Sequence, residues 1–390
     1  MQSKDNSKDI KIMLAALLLL VCGYSLCNNI IAVTMNPIID TFELTGSSQG
    51  LMTSMINLGS ILPLFIIPLL QGRVKKIWLI LASAVVLLAS TALTGAASSF
   101  AFLMIACVVL GAGYNFLDTM ANSYIVDLFP GNSTRGLGLL HGFYGIGGLL
   151  TPLFITFILS RATWRTAYGV GALIFSVIVA VFSALAMSRW AKLDTTVVRQ
   201  EEKLTGAMFR RYIRDSRNLL LLGAAAFYGA SQTGLVNWVA RYMLVRFNET
   251  ALGSLCVSAY WICCVICRFL SPNLRIRPGK QLIAGAALSG LFHAAGVLSG
   301  SAVFMVVASG LVGLFSGVCL TVLLSEAAIG NEGMTSLTTS SIFLIMGVTR
   351  MLIPLVMGAA AETSIVIAML FPAAASLVTA LLSALALRKN

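Results

Sequence analysis

The chain reads as an all-α membrane protein, twelve transmembrane helices in two six-helix pseudo-symmetric bundles, and three observations carry that reading. Apolar runs of about 20 residues, the length a helix needs to cross the hydrocarbon core, recur from end to end. With 58% hydrophobic and only 10% charged residues, and a mean hydropathy of +0.93, water cannot solvate these 390 residues as a globule. The most hydrophilic stretch, SRWAKLDTTVVRQEEKLTGAMFRRYIRDSR from Ser188 to Arg217, falls near the middle and leaves six apolar runs on each side.

Taken in order, the first run, 12–36, follows a basic start and is too long, with no small-residue cleavage site after it, to be a removed signal peptide. The runs 47–70, 77–97 and 101–129 follow, the last carrying Asp118 inside VVLGAGYNFLDTMANSYIV. The fifth, 137–159, is rich in glycine, which permits close helix approach, and 166–187 completes the first set. Beyond the hydrophilic stretch come 218–244, holding ASQTGLVNW; 251–270, holding WICCVICRF; and 281–299 and 303–329. The last two are 336–361, with Arg350 inside SSIFLIMGVTRMLIPLVMG, and 364–387. The division predicted is a bundle at 1–187, a cytoplasmic linker at 188–217 and a bundle at 218–390.

The formal net charge of +12 is a topology signal rather than a nucleic-acid footprint. With the N-terminus inside, 21 of the 26 Lys and Arg fall on inner segments, eight of them from Arg189 to Arg217. Arg161, Arg165, Arg241 and Arg246 are left outside, and Arg350 within a span. Both termini are therefore expected in the cytoplasm, with the chain in the inner (plasma) membrane. Arg210, Arg211 and Arg214 suit an amphipathic segment on the anionic leaflet, the alternative being a solvated connector.

The halves also match each other: GIGGLLTP at 145–152 aligns with GVTRMLIP at 347–354, an offset of 202 that also brings Gly111 onto Gly313. Repeated halves of this kind put a substrate path between them. The copies differ by one charge each, since Gly148 corresponds to Arg350 and Asp118 to Leu320.

Ionisable side chains at membrane depth are expensive and mark solute or proton paths. Asp118 stands one helical turn from Asn122, so the two share a face. An acid in such a site can exchange a proton during a transport cycle; the plainer reading is an acid paired with a neighbouring helix. Ser25, Asn28 and Asn29 of the first span, with Gln232, Asn237 and Trp238 of the seventh, offer polar groups and an aromatic plate that suit a hydroxylated solute, or serve as interhelical glue. Arg350 has three readings: it binds an anionic substrate, pairs with Asp118, or pairs elsewhere for structure. His141 and Tyr144, in LLHGFYGIGG, are candidates for gating or a proton relay. The eight cysteines lie mostly within spans as small hydrophobes, with no companion His or carboxylate to make a metal site. No nucleotide loop, metal cluster or catalytic triad pattern is present, so neither a cofactor nor an enzyme is expected.

These residues resemble the major facilitator superfamily, and within it the fucose permease and sodium-dependent glucose transporter-like group. FLDTMANSYIV, RGLGLLHGFYGIGGLLTP, CRFLSP with LRIRPGK beyond it, and PLVMG carry the resemblance. It implies that Asp118 and Asn122 occupy positions tied to sugar binding and proton coupling in that group. Fucose permeases carry a further acid on the first helix where this chain has LCNNIIAV, and Arg350 falls in a Gly-rich part of the eleventh helix. The superfamily's loop between helices two and three is reduced here to QGRVKKIW, with Leu69 near the expected acid, so the usual latch from that acid to a helix end is expected to weaken.

Residues and resemblance together predict a secondary transporter that moves a small polar solute by alternating access. The solute is a sugar or sugar-like metabolite, or a sugar acid if Arg350 binds it. Asp118 carries the coupling proton, sodium being the alternative ion, and Asn29, Asn122, Gln232, Asn237, Trp238 and Arg350 hold the substrate. A multidrug or metabolite exporter, an organic-anion carrier and a membrane solute sensor are the rival readings. The chain is expected to act as a monomer in the lipid bilayer.

Overall fold

The computed structural model describes residues 2–43, 46–129, 133–196 and 202–388. Its helices, in chain order, are α1 (Gln2–Thr41), α2 (Gly46–Leu70), α3 (Lys76–Gly95), α4 (Phe100–Leu128), α5 (Ser133–Leu159), α6 (Trp164–Thr196) and α7 (Gly206–Arg214). The series continues with α8 (Ser216–Phe247), α9 (Thr250–Leu270), α10 (Pro278–Leu298), α11 (Ala302–Ser316), α12 (Cys319–Ala328), α13 (Thr335–Thr363) and α14 (Ile365–Leu387). Among the described residues, 11 spans are long and apolar enough to cross a membrane, and the described part of α2 adds a shorter apolar helix.

The expected tenth span is two helices, α11 and α12, parted by a turn at Gly317 and Val318. A hydropathy run cannot show this, because both pieces are equally apolar. Continuous α1 outruns its span at both ends, since beyond the bilayer core helix propensity, not hydropathy, sets the limit. The linker expected at 188–217 holds the C-terminal turns of α6 and the amphipathic α7; residues 197–201 of it lie outside the described residues. Thr205 caps α7, Phe209 and Ile213 are exposed one turn apart, and burial pushes the Tyr212 phenol up to about 12.

Packing groups the chain into two compact units. The first comprises Met1–Gly136, Phe143–Leu204 and Gly333–Ser340; the second comprises Leu137–Gly142, Thr205–Glu332 and Ser341–Asn390. In the first, α4 packs on α2 and α3, and α6 on α1 and α3, around Ile30, Met52, Leu103, Cys107 and Tyr168. In the second, α14 packs on α8 and α10, and α11 on α9 and α10, around Tyr242, Tyr260, Met305, Met357 and Met369. Large apolar side chains such as Leu153, 73% exposed, stay at the helix surface.

The internal repeat shows itself inside each unit. Ser99 caps α4 by accepting from the Phe102 N–H, and Ser301, 202 positions on, caps α11 by accepting from the Phe304 N–H. A Cβ on Gly111 would stand 2.0 Å from the Ile56 carbonyl oxygen, and one on Gly313 would stand 2.1 Å from that of Tyr260. No side chain fits either crossing. Gly111→Ala and Gly313→Ala are each expected to abolish monodisperse protein on size-exclusion chromatography, whereas Gly169→Ala, with nothing within 4 Å, leaves it intact.

The segment Gly333–Ser340 of the first unit is held by polar side chains. Gln71 donates from Nε2 to the carbonyls of Glu202 (3.0 Å) and Gly333 (3.2 Å), and its Oε1 accepts from the Leu337 N–H (3.1 Å) in the first turn of α13. Lys76 pairs with Asp127 and bonds to Ser123 and Thr335, and Thr335 Oγ1 donates to Asp127 Oδ1 at 2.9 Å. The expectation of a weakened latch at QGRVKKIW is thus revised. Leu69 supplies no acid, but the amide of Gln71, two residues on, engages that helix end, and a buried ion pair lies beside it. In the second unit Glu326, near the end of α12, pairs with Arg217 at 3.0 Å.

Candidate functional site

In the first unit, α1, α4 and α5 bring one polar cluster together. Tyr24 on α1 donates its hydroxyl to Asp118 Oδ1 at 2.7 Å, and Asn122 Nδ2 donates to the same oxygen at 3.0 Å and to the Asp118 carbonyl at 2.8 Å. Asp118 is 8% exposed and Asn122 is fully buried, so the carboxyl meets Tyr24 and Asn122 in a nearly dry setting. The shared face predicted for Asp118 and Asn122 is therefore occupied by a direct bond.

Around the carboxyl stand three tyrosines. Ring centroids of Tyr24 and Tyr114 lie 5.9 Å apart, those of Tyr24 and Tyr144 5.7 Å, and those of Tyr114 and Tyr144 6.3 Å. Tyr144 receives hydrogen bonds at its hydroxyl from Asn28 (3.2 Å) and Tyr114 (3.2 Å), and at its carbonyl from Ser25 (2.7 Å). Asn29 donates to the Ser25 carbonyl at 2.7 Å and is half-buried. Gly148 of α5 lies against this pair, a Cβ there standing 3.6 Å from Asn29 Nδ2 and from Ser25 Oγ. The half-exposed members of the cluster, Asn28, Asn29, Tyr114 and Tyr144, offer amides, hydroxyls and aromatic edges. Tyr24 and Tyr114 escape a search for polar residues, yet spacing betrays both: Tyr114, Asp118 and Asn122 are successive i, i+4 neighbours, as are Tyr24 and Asn28.

The second unit holds the remaining candidates. Arg350 on α13 donates from Nη2 to Gln232 Oε1 on α8 at 3.5 Å. By the repeat Arg350 takes the station of Gly148, now filled by a cation. Trp238 lies farther along α8, its ring 3.9 Å from where a Gly358 Cβ would be, with the Arg241 guanidinium 5.8 Å from its centroid. Asn237 is exposed and, five positions after Gln232, is turned about 140° from it around the helix. The seventh-span set therefore does not share one face.

His141 and Tyr144 also separate. Tyr144 belongs to the Asp118 cluster, while His141, 5% exposed, folds with the second unit, where its carbonyl accepts from buried Arg268 at 3.4 Å. Arg268 itself was not anticipated, because it sits at the end of a span among other basic residues. Among the described residues no group of three or more metal-ligating side chains occurs.

Comparison with known proteins agrees with this architecture. The chain matches the Major Facilitator Superfamily model over residues 17–329. A crystal structure of a variant of the E. coli fucose:proton symporter superposes with a TM-score of 0.80 at 19% identity, covering 97% of this chain and 99% of that one. A structure of FucP in the outward conformation gives 0.79 at 18% identity, over 97% and 99%. At such identities the likeness establishes the fold. The glucose/mannose transporter GlcP of Bacillus subtilis is 23% identical over 175 residues, 43% of this chain and 42% of that protein, so the alignment spans under half the length of this curated relative. On the residues matched and the fold shared, the chain belongs to the Major Facilitator Superfamily.

Proposed function

We propose that the protein is a proton-coupled secondary transporter of a small polyhydroxylated solute, moved across the cytoplasmic membrane by alternating access as a monomer with both termini inside. One observation carries this reading: a nearly buried carboxyl at membrane depth, bound by Tyr24 and Asn122 and bordered by half-exposed amides and tyrosines. Protonation of Asp118 alters the hydrogen bonds its carboxyl makes with Tyr24 and Asn122, so a change around the carboxyl and a change of its protonation are linked. Solute hydroxyls engaging Asn28, Asn29 and the tyrosine edges make that change, with sugar ring faces laid on the aromatic surfaces. A solute drives the switch only by binding the two states differently, and protonation of Asp118 provides the difference. The E. coli fucose:proton symporter and the B. subtilis glucose/mannose transporter, by their names, move sugars, one with protons; both support the reading.

The test is uptake of labelled hexoses and their derivatives by proteoliposomes under an inward proton gradient. Uptake that rises with the gradient and falls with a protonophore is expected. Uptake driven only by sodium would replace the ion. Absence of solute uptake, with resistance to toxic compounds on expression, would favour an exporter instead.

A further inference from the structure

Arg350 stands midway along the 29-residue α13, about 20 Å from either end at 1.5 Å per residue. Its side chain is exposed, and among the described residues no carboxylate forms an ion pair with it. Among the described residues its one hydrogen bond, to Gln232 Oε1 at 3.5 Å, is long. A guanidinium at this depth is costly unless it meets water or a counter-ion, and a lipid headgroup at the bilayer surface is too far away to serve. Gln232 Oε1 accepts from one Nη of Arg350, and the remaining guanidinium N–H groups present donors alone. Donors without acceptors recognise an anion, and a guanidinium matches a carboxylate in two parallel bonds. The corresponding station of the first unit, Gly148 beside Asn29, carries neither charge nor side chain.

We infer that Arg350, oriented by Gln232, is a carboxylate-binding station of the second unit, and that its ligand is a sugar acid such as a hexuronate or aldonate. This rests on the transport reading above and adds the charge of its substrate. One cation suits one negative charge, hence a carboxylate rather than a phosphate dianion. One proton carried with a monoanion moves no net charge, so uptake is expected to be indifferent to membrane potential.

The experiment is thermal unfolding of purified protein with matched pairs, glucose and glucuronate, galactose and galacturonate, and with gluconate and glucose 6-phosphate. It is run on the wild type, Arg350→Lys and Arg350→Gln. We expect an acid to raise the unfolding midpoint at concentrations at least tenfold below its neutral partner. Arg350→Gln should lose that preference and Arg350→Lys keep part of it, both with unliganded midpoints near wild type. A neutral hexose that binds the wild type and Arg350→Gln alike overturns the inference but leaves the transport of a hydroxylated solute standing. Stabilisation by glucose 6-phosphate and not by carboxylates overturns the substrate class. No response to any member of either series counts against both readings.

Discussion

Asp118→Asn should abolish proton-driven accumulation while leaving solute exchange across the membrane in place. The substitution keeps size and shape, so Asn at 118 can still accept from Tyr24 and Asn122, which converge on Oδ1 at 2.7 and 3.0 Å. What it removes is the capacity to gain and lose a proton, making the side chain a permanent mimic of the neutral acid. Counterflow, which needs only alternating access, is expected to persist within a few-fold of wild type. Concentrative uptake under a proton gradient should fall to the level set by the solute gradient. Undiminished accumulation would remove Asp118 from the coupling step, and loss of both activities would mark it as structural.

The second large effect concerns stability. Lys76 and Asp127 are 8% and 5% exposed and share bonds with Ser123 and Thr335, so the pair holds the start of α13 in the first unit. Lys76→Met leaves the Asp127 carboxylate buried without its cation, which costs roughly 3–5 kcal/mol when one partner of a buried pair is removed. The midpoint of thermal unfolding should drop clearly, and the double variant Lys76→Met with Asp127→Leu should recover much of it, because two apolar groups leave no orphaned charge. Equal midpoints for wild type and the single variant would show that the pair contributes nothing.

Hydropathy made the spans legible because each must be apolar over its own length, and the two charges that violated the rule, Asp118 and Arg350, led to polar contacts in both units. What escaped the sequence is of another kind. The turn at Gly317 and Val318 changes no hydropathy. The partnership of Lys76 with Asp127 joins residues 51 apart at the ends of two spans, where charges are common and pairing has no local signature. Tyr24 and Tyr114 are passed over because tyrosine counts as apolar, although their i, i+4 spacing to Asn28 and Asp118 is legible. Asn237 shows the converse, since neighbours in sequence fall on different helix faces. The repeat, read from a short alignment, reappears as paired caps at Ser99 and Ser301 and paired crossings at Gly111 and Gly313, because helix packing tolerates few solutions at a close approach.

Solute-driven proton movement tests the central claim most directly. Proteoliposomes in a lightly buffered medium, given the solute that stabilises the protein, should alkalinise the medium as protons enter with it, and those bearing Asp118→Asn should not. Solute entry without alkalinisation in the wild type, or equal alkalinisation by the variant, would contradict proton coupling through Asp118.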